Sequence, residues 1–196
     1  MTALVFGTVH AHSADAIFEA AEARQMRLIA GKVLMDSNCP EGLRDDAESG
    51  YADSKALIER WHGRGRLGYA ITPRFALTSS EAQLAAAGRL ASEHPDVWVH
   101  THLAENHDEV EEIARLFPDS RSYLDVYDHF GLLRERSVFA HCLHLDAADR
   151  ELMAGKGGTG AFCPTSNLFL NSGLCPLDRL LAAQPVGEEV RSEEQA

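Results

Sequence analysis

The sequence predicts an α/β fold on a parallel sheet, about six β/α units in the manner of part of a (β/α)8 barrel, and three observations carry that prediction. Short β-branched or aliphatic runs alternate with longer segments of helical period. Helix-starting residues recur after those runs. The polar residues of most chemical interest, Asp36, Arg74, His102, Glu105, His141 and Asn167, each follow an apolar run by a few positions. In a (β/α)8 barrel that is the face on which active sites are built.

The expected strands are Ala3 to Val9, Arg27 to Leu34, Leu67 to Ile71, Val97 to His102, Ser137 to His141 and Gly160 to Phe162. The clearest helix follows the fourth of these. Asn106 caps it, Glu109 stands three residues on, Val110, Ile113, Ala114 and Phe117 form one apolar face, and Pro118 ends it. Thr78 with Glu81 reads as a capping box ahead of the Ala/Leu-rich stretch to Ala91. Ser13 and Asp146 read as helix starts, and Asp53 to Trp61 as a further helix. Asp36 to Tyr51 carries Pro40, Gly42 and Gly50 without periodicity and reads as a long loop. Residues 1 to 183 therefore form one expected barrel-type domain. Gln184 to Ala196, acidic and poor in apolar residues, reads as a disordered tail.

Composition narrows the functional classes. Of the 196 residues 45% are hydrophobic and 24% charged, the balance of an ordinary globular protein. A net charge of −12 with no Lys/Arg stripe argues against a nucleic-acid partner. No apolar run reaches the roughly 20 residues of a membrane span, and Met1 to Phe6 has no basic leader, so a cytoplasmic location is expected. Cys39, Cys142, Cys163 and Cys175 form no Cys-x-x-Cys pair and read as reduced, packed thiols. Phosphate-loop, dinucleotide-binding and nucleophile-elbow motifs are absent.

The candidate chemistry is concentrated at two neighbouring strand ends. His100-Thr101-His102-Leu103-Ala104-Glu105-Asn106 offers an imidazole and a carboxylate where a strand passes into a helix. A metal-activated water needs such a ligand and such a proton acceptor. Taken alone, the stretch reads more readily as His102 packing or hydrogen-bonding at a strand end and Glu105 complementing a helix dipole. His141, at the same place on the next strand, favours a site, because two strands in register then aim imidazoles at one cavity. His10 and His12 share this i, i+2 spacing but fall in a loop before a helix and read as solvated. In Thr72-Pro73-Arg74-Phe75 a guanidinium stands beside an aromatic ring, an arrangement suited to a planar, oxygen-bearing heterocycle, though a plain surface Arg is as common. Cys163 to Gly173 is a turn-rich connection that either shapes a pocket or satisfies backbone groups.

Taken together, Gly31-Lys32-Val33-Leu34-Met35-Asp36, Ala70-Ile71-Thr72-Pro73-Arg74-Phe75, Thr101-His102-Leu103-Ala104-Glu105-Asn106, Ala140-His141 and Cys163-Pro164-Thr165-Ser166-Asn167 make a series that resembles the guanine deaminases of the amidohydrolase superfamily. The likeness runs from about Thr2 to about Ala183. It implies a partial (β/α)8 TIM-like barrel of the metal-dependent amidohydrolase type, and zinc-dependent hydrolysis of guanine to xanthine and ammonia. By the same resemblance His102 is a ligand of a single zinc ion, Glu105 the proton shuttle, and His141 a catalytic contact to the activated water or the substrate. Arg74 and Phe75, with His102 and Glu105, hold the purine. The family's His-x-His pair on the first barrel strand and Asp on the last have no counterpart in this sequence, so the remaining zinc ligands are expected to lie outside this chain. An open arc of strands further implies exposed sheet edges, and with them poor solubility or dependence on a partner, a homodimer among the expected assemblies. The alternatives are a truncated, non-catalytic fragment and an amidohydrolase acting on another aminated or chlorinated heterocycle.

Overall fold

The computed structural model describes residues 2–175. Its strands are β1 (Thr2–Phe6), β2 (Arg27–Gly31), β3 (Val33–Leu34), β4 (Leu67–Pro73), β5 (Trp98–Leu103), β6 (Ser137–His141) and β7 (Thr159–Ala161). The helices are α1 (Ala11–Ala23), α2 (Ala47–Trp61), α3 (Glu81–Glu93), α4 (His107–Leu116), α5 (Tyr123–His129), α6 (Ala147–Gly155) and α7 (Pro164–Phe169). All pairings are parallel, in the order β1-β2-β4-β5-β6-β7, with β3 extending the β2 line against β4. Parallel neighbours demand a crossover, and here each is supplied by at least one helix. The result is an arc of a β/α barrel with β1 and β7 at its edges.

Alternation along the strands divides the apolar residues between two faces. Leu28, Ala30 and Leu34 join Phe18 of α1, Leu57 and Trp61 of α2 and Leu84 and Leu90 of α3 in the main core. Val33 and Met35, of opposite parity, join Val9 and Phe6 in a small second cluster. Burying each large side chain in the main core contributes about 1.5–3 kcal/mol, so the sheet–helix interface dominates stability.

The expected six strands are present, with one of them interrupted. The run from Arg27 to Leu34 breaks at Lys32, whose backbone N–H donates to the Tyr69 hydroxyl at 3.2 Å. At Gly31 a Cβ would lie 1.8 Å from the Ala70 carbonyl oxygen, so only glycine allows the two strands this approach. The Lys32 side chain, 2% exposed, forms an ion pair with Asp45 just ahead of α2.

Several helix boundaries differ from expectation. α1 begins at Ala11 with Ser13 inside it, and its N-cap His10 makes no side-chain cap bond. Thr78 lies in a 3₁₀ turn, and Ser80 caps α3 by accepting from Gln83 N–H. The stronger cap two residues later displaces the Thr78–Glu81 box. α2 starts at Ala47, where Asp46 accepts from Glu48 and Ser49, so the loop expected to run to Tyr51 ends sooner. The Asn106 cap and the Asp146 start are as expected, the latter with a complete capping box to Asp149. α5 and α7 had no clear sequence signature, both being short, and α7 lies within the stretch that reads as turns. Residues 176–183 of the expected domain and the tail from Gln184 lie outside the described residues. Among the described residues no helix is long and apolar enough to cross a membrane.

Gly88 tests the packing of α3 against the turn after α5. An alanine there gains about 1 kcal/mol of helix propensity. Its Cβ, however, would sit 2.0 Å from the Phe130 carbonyl oxygen, a backbone atom with little room to yield. Overpacking costs typically about 1–3 kcal/mol, so Gly88→Ala is expected to lower stability by about 1 kcal/mol or more in urea unfolding, despite the better helix former.

Candidate active site

β5 and β6 end side by side, with His102 opposite Ala140 and Leu103 opposite His141. The chain then leaves both strands through left-handed bends. Ala104 has φ +50°, His141 +76° and Cys142 +54°, conformations that non-glycine residues adopt at a cost. The two bends brace one another. Cys142 N–H donates to the Leu103 carbonyl at 2.9 Å, and the Ala104 carbonyl accepts from Leu143 and His144 at 3.1 and 3.3 Å. Bending here turns Glu105 and His141 toward each other, where straight strands would carry them apart.

The two imidazoles lie nearly parallel, with ring centroids 5.4 Å apart. His102 Nδ1 donates to the Arg74 carbonyl at 2.7 Å, and His141 Nδ1 donates to Asn167 Oδ1 at the same distance. These bonds fix which nitrogen carries the proton and leave Nε2 of each ring with its lone pair. Burial, with His141 and Arg74 nearby, holds His102 below the usual histidine range. His100 is pushed down to about 4 by burial and by His102. Glu105 Oε1 approaches His141 Nδ1 to 3.6 Å with its side chain 18% exposed.

Arg74 is held in the same junction through its backbone. Its carbonyl accepts from His102 Nδ1, from His102 N–H at 3.3 Å and from Thr101 Oγ1 at 3.3 Å. The exposed guanidinium lies 4.5 Å from the centroid of the Phe75 ring, and that ring meets His102 edge-on at 6.2 Å. Arg74, Phe75, His102, Glu105 and His141 thus share one end of the arc. Asp36, also at a strand end, serves α3: its carboxylate accepts from Ser80 N–H and Ser80 Oγ at 2.7 and 2.5 Å. His10 and His12 stack on each other at the exposed start of α1.

Three contributors were not among the site residues expected from the sequence. Phe6 of β1 packs across the arc onto His100 and His102, at centroid distances of 4.1 and 4.3 Å. Tyr127 of α5 donates to the His102 carbonyl at 2.8 Å, accepts from Ala76 N–H at 3.0 Å and lies 3.1 Å from Thr101 Oγ1. Glu109 accepts from the Glu105 N–H at 3.0 Å. Of these, Glu109 alone was marked in the sequence, as the residue three past the Asn106 cap.

A mononuclear zinc centre draws three or four protein donors. His102 fits as one: its Nδ1 is committed to a carbonyl, as ligating imidazoles are, and its other nitrogen is free. Among the described residues, however, no group of three or more His, Cys, Asp and Glu side chains converges on a point that would hold a metal. These residues would supply one ligand and its neighbours, not a complete centre.

Tyr127→Phe would leave the His102 carbonyl and the Ala76 N–H short of a partner in a buried setting. Unsatisfied buried groups cost about 1–3 kcal/mol, and thermal denaturation of the variant is expected to register a loss in that range.

Residues 1–186 match the Amidohydrolase family. Guanine deaminase of Escherichia coli (strain K12) is 58% identical over 91% of this chain, which spans 40% of that relative's length. The solved E. coli guanine deaminase superposes with a TM-score of 0.92 at 56% identity, covering 93% of this chain and 42% of its own. A guanine deaminase from C. acetobutylicum, solved with guanine bound in the active site, superposes at 0.88 with 31% identity, over 91% of this chain and 43% of its own. The chain therefore spans about two fifths of the length of the relatives it matches. Its parallel arc is that of a partial TIM barrel, and the chain belongs to the amidohydrolase family, whose members are metal-dependent.

Proposed function

We propose that the natural protein carrying this sequence deaminates guanine to xanthine and ammonia, with zinc as its metal. The observation that carries this reading is the convergence of His102, Glu105 and His141 at two adjacent strand tips, with Arg74 and Phe75 on the third. A relative of like fold with guanine in its active site supports the choice of substrate. Zinc, when bound, acidifies a water to a pKa of roughly 7, and His102 is the residue of this chain that would help hold it.

The rest follows from the chain's own side chains. Phe75 presents an aromatic ring for the planar purine, and the Arg74 guanidinium donates to its carbonyl oxygen. His102 and His141 stand nearly parallel beside them. Glu105, beside His141, takes one proton from the attacking water and gives it to the ring nitrogen, then takes the second from the newly added hydroxyl and gives it to the departing amine. Water supplies the oxygen of xanthine, and nitrogen leaves as ammonia, so the reaction balances without a redox partner. A positioned carboxylate of this kind contributes about 10²–10⁴ in rate.

Purified natural protein is expected to convert guanine to xanthine, followed by ultraviolet absorbance, and to lose that activity on treatment with a zinc chelator. Glu105→Gln keeps the shape but cannot accept the proton. Its turnover is expected to fall by at least about 100-fold with guanine binding retained. Unchanged turnover in this variant would remove Glu105 from the reaction, and an unsubstituted protein inert toward guanine would remove the substrate.

A further inference from the structure

Glu105 is delivered to the site by a piece of chain that no regular ladder controls. It follows the left-handed Ala104, at φ +50°, and precedes Asn106, the extended N-cap of α4 at φ −142°. It thus lies beyond the hydrogen bonds of β5 and ahead of those of α4. Yet its N–H is held, because Glu109 Oε2 accepts from it at 3.0 Å. Glu109 is itself anchored at the first turn of α4, where its own N–H donates to Asn106 Oδ1 at 2.9 Å. In an ordinary capping box the carboxylate at this position returns to the N–H of the cap residue. Here it reaches one residue farther back.

Glu109 is also buried, with 5% exposure, which capping does not require. Its second oxygen, Oε1, lies against the buried Tyr123 hydroxyl, the two so placed that they do not complete a hydrogen bond of good geometry. Burial raises the carboxyl above its ordinary range. A carboxyl group kept in so unfavourable a place, with one oxygen spent on the backbone of Glu105, does more than finish a helix.

Resting on the deaminase reading above, we propose that Glu109 is the positioning residue for Glu105: by fixing the Glu105 main chain against the Ala104 bend, it sets the direction in which the Glu105 carboxylate meets the substrate. Asn106 and the left-handed bend define where the chain can go, and Glu109 selects one orientation within that range. Misplacement of a reacting group by about 1 Å costs on the order of 10²-fold in rate, so a single backbone hydrogen bond has leverage here.

The test compares Glu109→Gln, which keeps an acceptor oxygen, with Glu109→Met, which keeps length and removes it, in the natural protein. The Met variant is expected to lose about tenfold or more in kcat with KM for guanine within about twofold, and the Gln variant to stay within about threefold of the parent on both. Amide hydrogen exchange supplies a readout independent of turnover. The Glu105 N–H of the unsubstituted protein is expected to exchange at least about tenfold more slowly than a free loop amide, and Glu109→Met to abolish that protection while Ile113 in α4 keeps its own.

Rapid exchange at Glu105 in the unsubstituted protein overturns the inference, whether or not the variants fold. So does a Met variant with full kcat, or one that loses α4 protection in step with activity, since that reports a merely structural role. Absence of guanine turnover in the unsubstituted protein counts against the deaminase reading instead, and the exchange measurement still decides whether Glu109 holds Glu105.

Discussion

The Arg74 carbonyl oxygen is the point through which the candidate site is assembled. It accepts from the backbone and the ring of His102 and from the Thr101 hydroxyl, so it closes the gap between the tips of β4 and β5 where the ladder no longer pairs them. One atom thereby sets the His102 tautomer, the direction of its free nitrogen and the place of the Arg74–Phe75 pair. Tyr127 holds the junction from behind, bridging the His102 carbonyl and the Ala76 N–H with one hydroxyl. Each such bond contributes only about 1 kcal/mol of net stability. Their greater consequence is orientation, because each removes a way for an imidazole or guanidinium to point elsewhere.

The bends at Ala104 and at His141–Cys142 solve a related problem. A strand in register delivers side chains to alternate faces, and a helix begins about one turn later, so neither element places a carboxylate back against its own strand end. Left-handed backbone does, at about 1–3 kcal/mol for each non-glycine residue. The bonds from Cys142, Leu143 and His144 to Leu103 and Ala104 offset part of that cost, since each bend supplies the partners the other needs. Strain at β5 is thus tied to strain at β6, and the two strand ends behave as one rigid element.

Much of this was legible in the sequence because two periodicities are robust. The β/α rhythm located six strands to within a few residues, and register then followed from the demand that parallel neighbours point the same residues at the same end. His102, Glu105 and His141 could be named because they stand at equivalent distances past apolar runs. What escaped was non-local. Tyr127 belongs to α5, seven residues long and without a strong periodic signal, and its hydroxyl matters only because the fold brings it under β5. Phe6 meets His102 across strands that no pattern along the chain connects. The Thr78–Glu81 misreading has a local cause: two hydroxyl residues compete for one helix start, and Ser80 wins because Asp36, 44 positions away, also binds its backbone and side chain. Lys32 breaks a strand for a similar reason, since the hydroxyl that takes its N–H comes from β4.

The division of hydrogen bonds around His141 bears on what Glu105 is free to do. A neutral imidazole has one N–H, and that of His141 is given to Asn167 at 2.7 Å. The approach of Glu105 Oε1 to the same nitrogen, at 3.6 Å, is too long to be a second hydrogen bond. His141 therefore sits beside the carboxylate without consuming it. The amide of Glu105 is bound by Glu109, which restrains its main chain and leaves both side-chain oxygens available. A carboxylate restrained through its backbone, partly open to solvent and unspent on its neighbour retains the lone pairs that proton transfer requires. Had Asn167 been absent, the His141 N–H would have Glu105 as its nearest acceptor, and a hydrogen bond to His141 would occupy the carboxylate that now stands unspent.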